Sequence, residues 1–158
     1  MLNDAEQRIV AHVEKFGWSA MSVAPGVDSD EEDDEWFTYT IGLPNSRSWP
    51  ELVCFGLDGK TAHGILTDAI AEMSERGVRP EAGLLLHKTL NGQDAMLVEG
   101  TAVPDPYLGS AIWFSRHSGF PCPPPKLQLV WPDEEGRFPS DPECDPEVRQ
   151  LQTPLGLK

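Results

Sequence analysis

The apolar positions near the start of the chain follow first a helical and then a strand-like period. Four of them recur at the three- and four-residue spacing of one helix face: Ile9, Val10, Val13 and Phe16. Asn3 and Glu6 make the pattern of a capping box before this set, and Gly17 can end the helix after it. Apolar and polar residues then alternate over Ser19 to Val23 and Trp36 to Ile41, which predicts two strands.

The middle of the chain predicts one more helix and further strands. Gly42 to Asn45 breaks the second strand, and the mostly apolar run Glu51 to Leu57 predicts an interior strand. A helix is predicted over Thr61 to Arg76, because its apolar residues make a single stripe. Residues 107–117 fit either a short helix or an irregular bridge. The later strand segments are Leu84 to His87, Ala95 to Val103 and Leu127 to Trp131.

Two turn signals organise the later strands. Asn91-Gly92 is a dipeptide typical of a tight hairpin turn. Asp133 to Gly136 is predicted to be a hairpin loop that returns through Arg137-Phe138. In this loop we expect Asp133 to fix the turn and Gly136 to adopt a positive φ. Trp131 and Phe138 are expected to pack together across its mouth.

This order of elements predicts a single α+β domain over residues 1–158. The sheet is antiparallel or mixed with about six strands, and two main helices accompany it. Residues 28–35 form an acidic loop, and residues 104–158 form a proline-rich C-terminal region that holds most of the fifteen prolines. Proline favours turns and rigid loops over long elements, so few regular elements are expected there.

Composition and charge exclude several classes of function. The chain of 158 residues carries 26 acidic and 12 basic residues, a net charge of −14 that repels nucleic acids and anionic membranes. Its apolar runs are far shorter than the roughly 18 residues of a membrane span, and no signal peptide is visible. The three cysteines form no C-x-x-C pair, which favours a reducing, cytoplasmic compartment.

Seven acids fill the eight positions from Asp28 to Glu35. Asp28, Asp30 and Glu32 have the alternate spacing of a calcium loop. However, the sixth position is Asp33 rather than glycine, and the twelfth is Tyr39 rather than glutamate. We therefore predict a solvated loop that offers an interaction surface and no metal site. The candidate surface residues are Asp30, Glu31, Glu32, Asp33 and Asp34.

The segment Gly56 to Thr61 ends in Gly-Lys-Thr and looks like a phosphate-binding loop. Such a loop has four residues between its glycines, whereas only two lie between Gly56 and Gly59. Asp58 would also repel a phosphate. The segment therefore predicts a turn followed by a helix cap, although Lys60 at the helix start can attract a small anion.

Large aromatic side chains near loops and strand ends, with a few cations, make a second set of candidates. They fit either a concave ligand site or the attachment of loops to the core. The ligand or anion-binding candidates are Arg137, Lys60, Arg47, Trp131 and Trp36. We expect Arg137 to pair with a carboxylate, either Glu51 or Asp133. No catalytic residues are predicted, because the chain shows no nucleophile elbow and its four histidines have no metal-ligand spacing.

Three stretches of the sequence resemble a known family. They are Phe37-Thr38-Tyr39-Thr40-Ile41-Gly42-Leu43-Pro44, then Trp49-Pro50-Glu51-Leu52-Val53-Cys54-Phe55-Gly56-Leu57, and finally Leu127-Gln128-Leu129-Val130-Trp131-Pro132-Asp133 with Gly136-Arg137-Phe138-Pro139. They are similar to the strands and the late hairpin of the family called domain of unknown function 4262. The resemblance implies a small, mostly bacterial, soluble protein. It supplies no catalytic residues.

Two hypotheses of function remain. In the first, the chain is a non-enzymatic, cytoplasmic binding domain that engages a basic protein through its acidic surface, as immunity or inhibitor proteins do. In the second, it is a small-molecule or flavin-binding protein, with or without enzymatic activity, whose sheet is like a split barrel. Arg47, Lys60 and Arg79 are the cations available for a flavin phosphate. The first hypothesis predicts no bound cofactor, and neither fixes an oligomeric state.

Overall fold

The architecture comes from a computed structural model that describes residues 2–23, 37–90, 93–101, 103 and 105–152. These residues form six strands, five α-helices and one 3-10 turn. In chain order the elements are α1 Asp4–Phe16, β1 Ser19–Val23, β2 Phe37–Ile41, α2 Leu43–Arg47, β3 Glu51–Phe55, α3 Gly59–Arg76, β4 Leu85–Leu90, β5 Gln93–Glu99, a 3-10 turn Asp105–Leu108, α4 Gly109–His117, β6 Lys126–Val130 and α5 Pro146–Leu151.

All six strands belong to one mixed sheet with the order β1-β2-β3-β6-β5-β4. Strands β3 and β6 lie side by side at its centre and are parallel, with Leu52 opposite Leu127. The other neighbours are antiparallel. Because parallel strands end at the same edge of a sheet, the segments that follow β3 and β6 lie close together. The α+β arrangement with a mixed sheet confirms the fold class predicted from the sequence.

Helices cover both faces of the sheet. Successive strand residues point to opposite faces, so the fully buried strand β3 contributes to two separate cores. Leu52 and Cys54 pack with the buried stripe of α3, which includes Leu66. Val53 and Phe55 pack on the other face in a cluster with residues of α1 and α4. Burial on both faces explains why β3 reads as an almost continuous apolar run.

Helix α1 forms where its caps predict. The Asn3 side chain accepts a hydrogen bond from the Glu6 backbone N–H, and the Glu6 side chain accepts one from the Asn3 backbone N–H. Gly17 takes a left-handed conformation directly after the helix. Both halves of the capping box are thereby formed, so the amphipathic segment begins and ends as the sequence predicted.

Helix α3 closes the outer edge of strand β4. Oε1 of the buried Glu72 accepts hydrogen bonds from the backbone N–H groups of His87 and Lys88, each at 2.7 Å. Arg76 donates to the Leu85 carbonyl at 2.9 Å and to the Glu72 carboxylate at 2.7 Å. An added strand would need these backbone groups, so the two side chains protect this edge against pairing with another chain.

Several predictions for the C-terminal half are corrected. The predicted return strand at Arg137-Phe138 is wrong, because Asp133 binds the backbone there and holds a compact loop instead of a ladder. Residues 107–117 take the helical alternative. Helix α5 was not predicted, and the proline-rich region is more regular than expected. In the N-terminal half, helix α2 was not predicted either. Residues 28–35, Trp36 and the turn Asn91-Gly92 lie outside the described residues.

Candidate functional site

A buried carboxylate joins the end of β2, the start of α2 and the start of β3. Glu51 is fully buried, and its Oε1 accepts hydrogen bonds from Thr40 Oγ1 at 2.8 Å and from the Leu43 N–H at 3.2 Å. Its Oε2 accepts one from the Gly42 N–H at 2.8 Å. Thr40 Oγ1 in turn accepts a hydrogen bond from the Leu52 N–H at 2.8 Å. One carboxylate therefore satisfies three donors that the sheet would otherwise bury unpaired.

The burial of Glu51 controls its ionisation. Removal from water raises the pKa of Glu51 from the ordinary value of 4.5 to about 7, although the hydrogen bonds from Thr40, Gly42 and Leu43 lower it in part. The described residues include no ion pair to this carboxylate. Glu51 is a structural centre that lies beneath α2, and it titrates near neutral pH.

A second carboxylate organises the loop after β6. Asp133 Oδ1 accepts hydrogen bonds from the backbone N–H groups of Glu135 and Arg137, and Oδ2 accepts one from Asp145, each at 2.9 Å. The Asp133 N–H donates to the Arg137 carbonyl at 2.9 Å, and Gly136 has a φ of 81°. The predicted roles of Asp133 and Gly136 in the turn are confirmed.

These hydrogen bonds keep Asp133 ionised. The bond from the Arg137 amide contributes most, followed by that from Asp145, and together they hold the pKa of Asp133 below its ordinary value of 3.8 against the opposing effect of burial. The loop therefore carries a fixed negative charge at its centre at neutral pH.

An open cavity of about 280 Å³ lies at this loop. Five of the six side chains around it are carboxylates. The lining residues are Asp133, Glu134, Glu135, Arg137, Glu143 and Asp145. Asp133 is buried and accepts backbone N–H groups, and the Asp145 side chain caps α5 by accepting from the Glu147 N–H. The exposed carboxylates of Glu134, Glu135 and Glu143 are therefore the groups best placed to contact a ligand. The cavity is therefore suited to a cation.

Arg137 pairs with a carboxylate, as expected, but not with Glu51. Its Nη2 lies 3.7 Å from Glu143 Oε2, and both side chains are substantially exposed. Asp133 receives the backbone N–H of Arg137, and the guanidinium charge also favours the ionised form of Asp133. Glu51 cannot form an ion pair with Arg137 because it is buried beneath α2. The carboxylates around Arg137 repel anions, so its position disfavours the binding of an anionic ligand.

Asp58 occupies the position where the Gly-Lys-Thr segment would hold a phosphate. Its carboxylate accepts hydrogen bonds from the Thr61 N–H at 2.8 Å and from Thr61 Oγ1 at 3.1 Å, which makes it the N-cap of α3. The hydrogen bonds from Thr61 lower the pKa of Asp58, so the cap is negatively charged at neutral pH. The turn and helix cap predicted from the sequence are confirmed.

We expect no saturable binding of ATP or GTP, because the Asp58 carboxylate lies at the N-terminus that a phosphate would need. Calorimetric titration of the wild-type protein and of the Lys60→Ala variant should give the same background heats. Lys15→Ala, which removes an exposed lysine from α1, serves as the charge-matched control. Saturable nucleotide binding that disappears in Lys60→Ala alone would contradict this assignment.

The remaining predicted site residues are spread over the molecule. Arg47 lies on α2 with its guanidinium 5.5 Å from the centre of the Trp49 ring, and Lys60 lies in the first turn of α3. The Trp131 indole Nε1 donates to the Phe55 carbonyl at 2.9 Å, so this ring attaches the end of β6 to the end of β3. Trp36 and the acidic candidates Asp30, Glu31, Glu32, Asp33 and Asp34 lie outside the described residues.

Two features of the described residues concern other classes of site. No group of three or more histidine, cysteine or acidic side chains in the described ranges is placed to hold a metal ion. Over the same ranges, no helix combines the length and apolar character needed to cross a membrane. The cysteines Cys54, Cys122 and Cys144 are free thiols.

Sequence reasoning missed two polar residues that the structure places at the centre of networks. Glu51 was considered only as a partner for Arg137, although a single acid at the head of an otherwise apolar strand signals a buried carboxylate. Gln152 is fully buried through contacts with Trp131 and Gln128. No local pattern marks it, since these partners come from distant segments.

The described residues form a small α+β domain in which two carboxylates, Glu51 and Asp133, each organise a hydrogen-bond network. The chain matches the family model described as Domain of unknown function (DUF4262) over residues 12–145, and it belongs to that family. The resemblance identified from the sequence is thus confirmed. No curated protein and no solved structure matches the chain. The residues that carried the resemblance include Gly42, Glu51 and Asp133, which belong to the two networks.

Proposed function

We propose that this protein is a non-enzymatic, acidic binding domain that engages a basic protein partner. The observation that carries the proposal is the open cavity after β6, whose lining is five carboxylates and one arginine. In this proposal the cavity receives a lysine or arginine side chain of the partner. Covering a basic surface in this way would suit an immunity or inhibitor protein, an analogy that rests on charge.

The charges around the cavity favour a cationic group. Glu134 and Glu135 are exposed, and the pair between Arg137 and Glu143 is long at 3.7 Å, so a partner's cation can compete for Glu143. Opposite charges 4 Å apart attract by about 1 kcal/mol in water and by about 4 kcal/mol in the less polar surroundings of a protein surface. Several such contacts supply a useful affinity.

The charge of the whole chain favours a protein as the source of the cation. The net charge of −14 attracts basic surfaces from a distance. The acidic run from Asp28 to Glu35 would add to this attraction, as its sequence predicts.

We expect an arginine-rich synthetic peptide to bind the protein in calorimetry, and a glutamine-substituted peptide of equal length not to bind. The double variant Glu134→Gln/Glu135→Gln should weaken binding about tenfold, because two charges are removed from the cavity. The matched control Asp68→Asn/Glu81→Gln removes two charges from exposed positions elsewhere and should change the affinity less than about twofold.

The two double variants have the same net charge, so their difference separates the cavity from general attraction. Affinity should also fall as salt rises from about 0.05 to 0.3 M, because salt screens exposed charges. An equal loss of affinity in both double variants would mean that peptide binding depends only on the net charge of the protein, and the proposed site would be wrong. Absence of binding by the arginine-rich peptide would reject the function itself.

A further inference from the structure

The C-terminal helix α5 is attached to the preceding loop by Arg149, which donates to the Pro139 carbonyl at 3.0 Å and to the Asp141 carbonyl at 2.6 Å. The segment is attached to the sheet mainly through the glutamine that follows the helix. Gln152 Oε1 accepts a hydrogen bond from the Trp131 N–H at 2.9 Å, and Gln152 Nε2 donates to the Trp131 carbonyl at 2.8 Å. Nε2 also lies 3.3 Å from the Val148 carbonyl. The carboxamide therefore binds both backbone groups of Trp131, as the backbone of a neighbouring strand would.

This attachment lies at the carboxyl ends of the two central parallel strands. Trp131 directly follows β6, and Gly56 directly follows β3. The backbone of Leu151 approaches Gly56 so closely that a Cβ there would lie 2.7 Å from the Leu151 carbonyl oxygen. In open sheets, the crevice beyond the carboxyl ends of parallel strands is where ligands commonly bind. Here residues 151–152 fill that place.

Helix α5 itself buries little. None of its residues from Pro146 to Leu151 is fully buried, and Leu151 is 48% exposed. Beneath the segment, Gln128 is fully buried, and its Nε2 donates to the Gln152 carbonyl at 2.8 Å. Gln128 Oε1 has no hydrogen-bond partner among the described residues. A segment held by polar contacts over little apolar area has a low free energy of local opening.

We propose that residues 146–152 form a latch that opens locally, without unfolding of the sheet, and that its opening uncovers a binding crevice for the amide groups of an extended peptide. The crevice offers the N–H and carbonyl of Trp131 and the carboxamide of Gln128. It recognises a primary amide followed by a backbone carbonyl, which is the chemistry of a glutamine or asparagine residue. This inference does not depend on the acidic cavity or its partner.

Amide hydrogen exchange in the full chain tests the latch. In the wild-type protein, the amides of Arg149 and Gln152 should exchange at least about 100-fold faster than those of Leu97 and Leu129 in the sheet, since the latch opens on its own. Gln152→Ala should speed exchange of the Trp131 amide at least about tenfold and leave the sheet amides unchanged. Glu147→Ala, which truncates an exposed side chain of the same helix, is the control.

Uniform acceleration of all amides in Gln152→Ala, or equal protection of latch and sheet in the wild type, would overturn the latch. A synthetic peptide with the sequence of residues 145–152, added to the full-length Gln152→Ala variant, tests the crevice. It should restore slow exchange at Trp131, whereas the same peptide with alanine in place of its last glutamine should not. Failure of the first peptide, or equal protection by both, would overturn the amide-binding crevice.

Discussion

Replacing Glu51 with alanine should lower the free energy of unfolding by about 3 kcal/mol or more, because three buried donors lose their acceptor at once. The Thr40 hydroxyl and the N–H groups of Gly42 and Leu43 all point at this carboxylate inside the protein. Each buried donor left without a partner costs about 1–3 kcal/mol. Urea denaturation at pH 6 measures the loss.

Glu51→Gln is the matched control, since it keeps one acceptor oxygen and nearly the same volume. We expect a smaller loss than for alanine, because only the donor facing the new amide group is left without an acceptor. An alanine variant as stable as the glutamine variant would contradict the role of Glu51 as the shared acceptor.

Glu51 should also make the free energy of unfolding fall as pH rises. The pKa of Glu51 is raised from the ordinary 4.5 to about 7 by burial, so the folded protein holds this proton more tightly than the unfolded chain does. The stabilisation is fully present below about pH 4.5 and is lost as pH rises through about 7. The wild-type protein should therefore lose about 3 kcal/mol relative to Glu51→Gln between about pH 4.5 and 7.5. A wild-type curve parallel to that of the variant would show that Glu51 is not titrating in this range.

Gly56→Ala should strongly destabilise the protein, although it adds only one methyl group. Gly56 has a φ of +88°, which an L-residue with a side chain rarely adopts, and the new Cβ would lie 2.7 Å from the Leu151 carbonyl oxygen. The strained backbone and the clash should together cost about 2–4 kcal/mol of unfolding free energy. The added Cβ would meet the Leu151 carbonyl oxygen, the Leu151 Cβ and the Trp131 ring. Opening of residues 146–152 can relieve the contacts with Leu151, whereas the backbone strain at Gly56 and the contact with Trp131 remain.

Gly64→Ala provides the control for the added methyl group. Gly64 lies at an exposed position inside α3, and a Cβ added there would have no heavy atom of another segment within 4 Å. Alanine should therefore stabilise the protein by up to about 1 kcal/mol. The melting temperature should move in opposite directions for the two substitutions. A Gly56→Ala variant with an unchanged melting temperature would contradict both the positive φ of Gly56 and its close contact with Leu151.

Local patterns predicted the elements that local physics controls. The capping box of α1, the buried stripe of α3 and the Asp133 turn all depend on residues within a few positions of one another. The number of strands followed from alternation and apolar runs. The parallel pairing of β3 with β6 did not, because it joins Leu52 to Leu127 and no short pattern reports so distant a neighbour.

The short helices were missed for a specific reason. Pro44 was interpreted as part of a strand break, and Pro146 fell in the region where proline was expected to favour turns and loops. Proline nevertheless suits the first turn of a helix, where its missing N–H costs no hydrogen bond. With five and six residues, α2 and α5 are too short to show an apolar stripe. The acidic cavity was missed because the hairpin prediction placed Arg137 in a strand, whereas the loop brings Glu143 and Asp145 alongside Glu134.

The most direct test of the proposed function is a titration of ¹⁵N-labelled protein with the arginine-rich peptide, followed by NMR. The cavity is the proposed contact site, so the amide signals of residues 133–145 should shift most and should saturate together. The signals of α1 and of the exposed face of α3 should shift little. Shifts spread evenly over the acidic surface, or concentrated away from residues 133–145, would contradict the assignment of this cavity as the binding site.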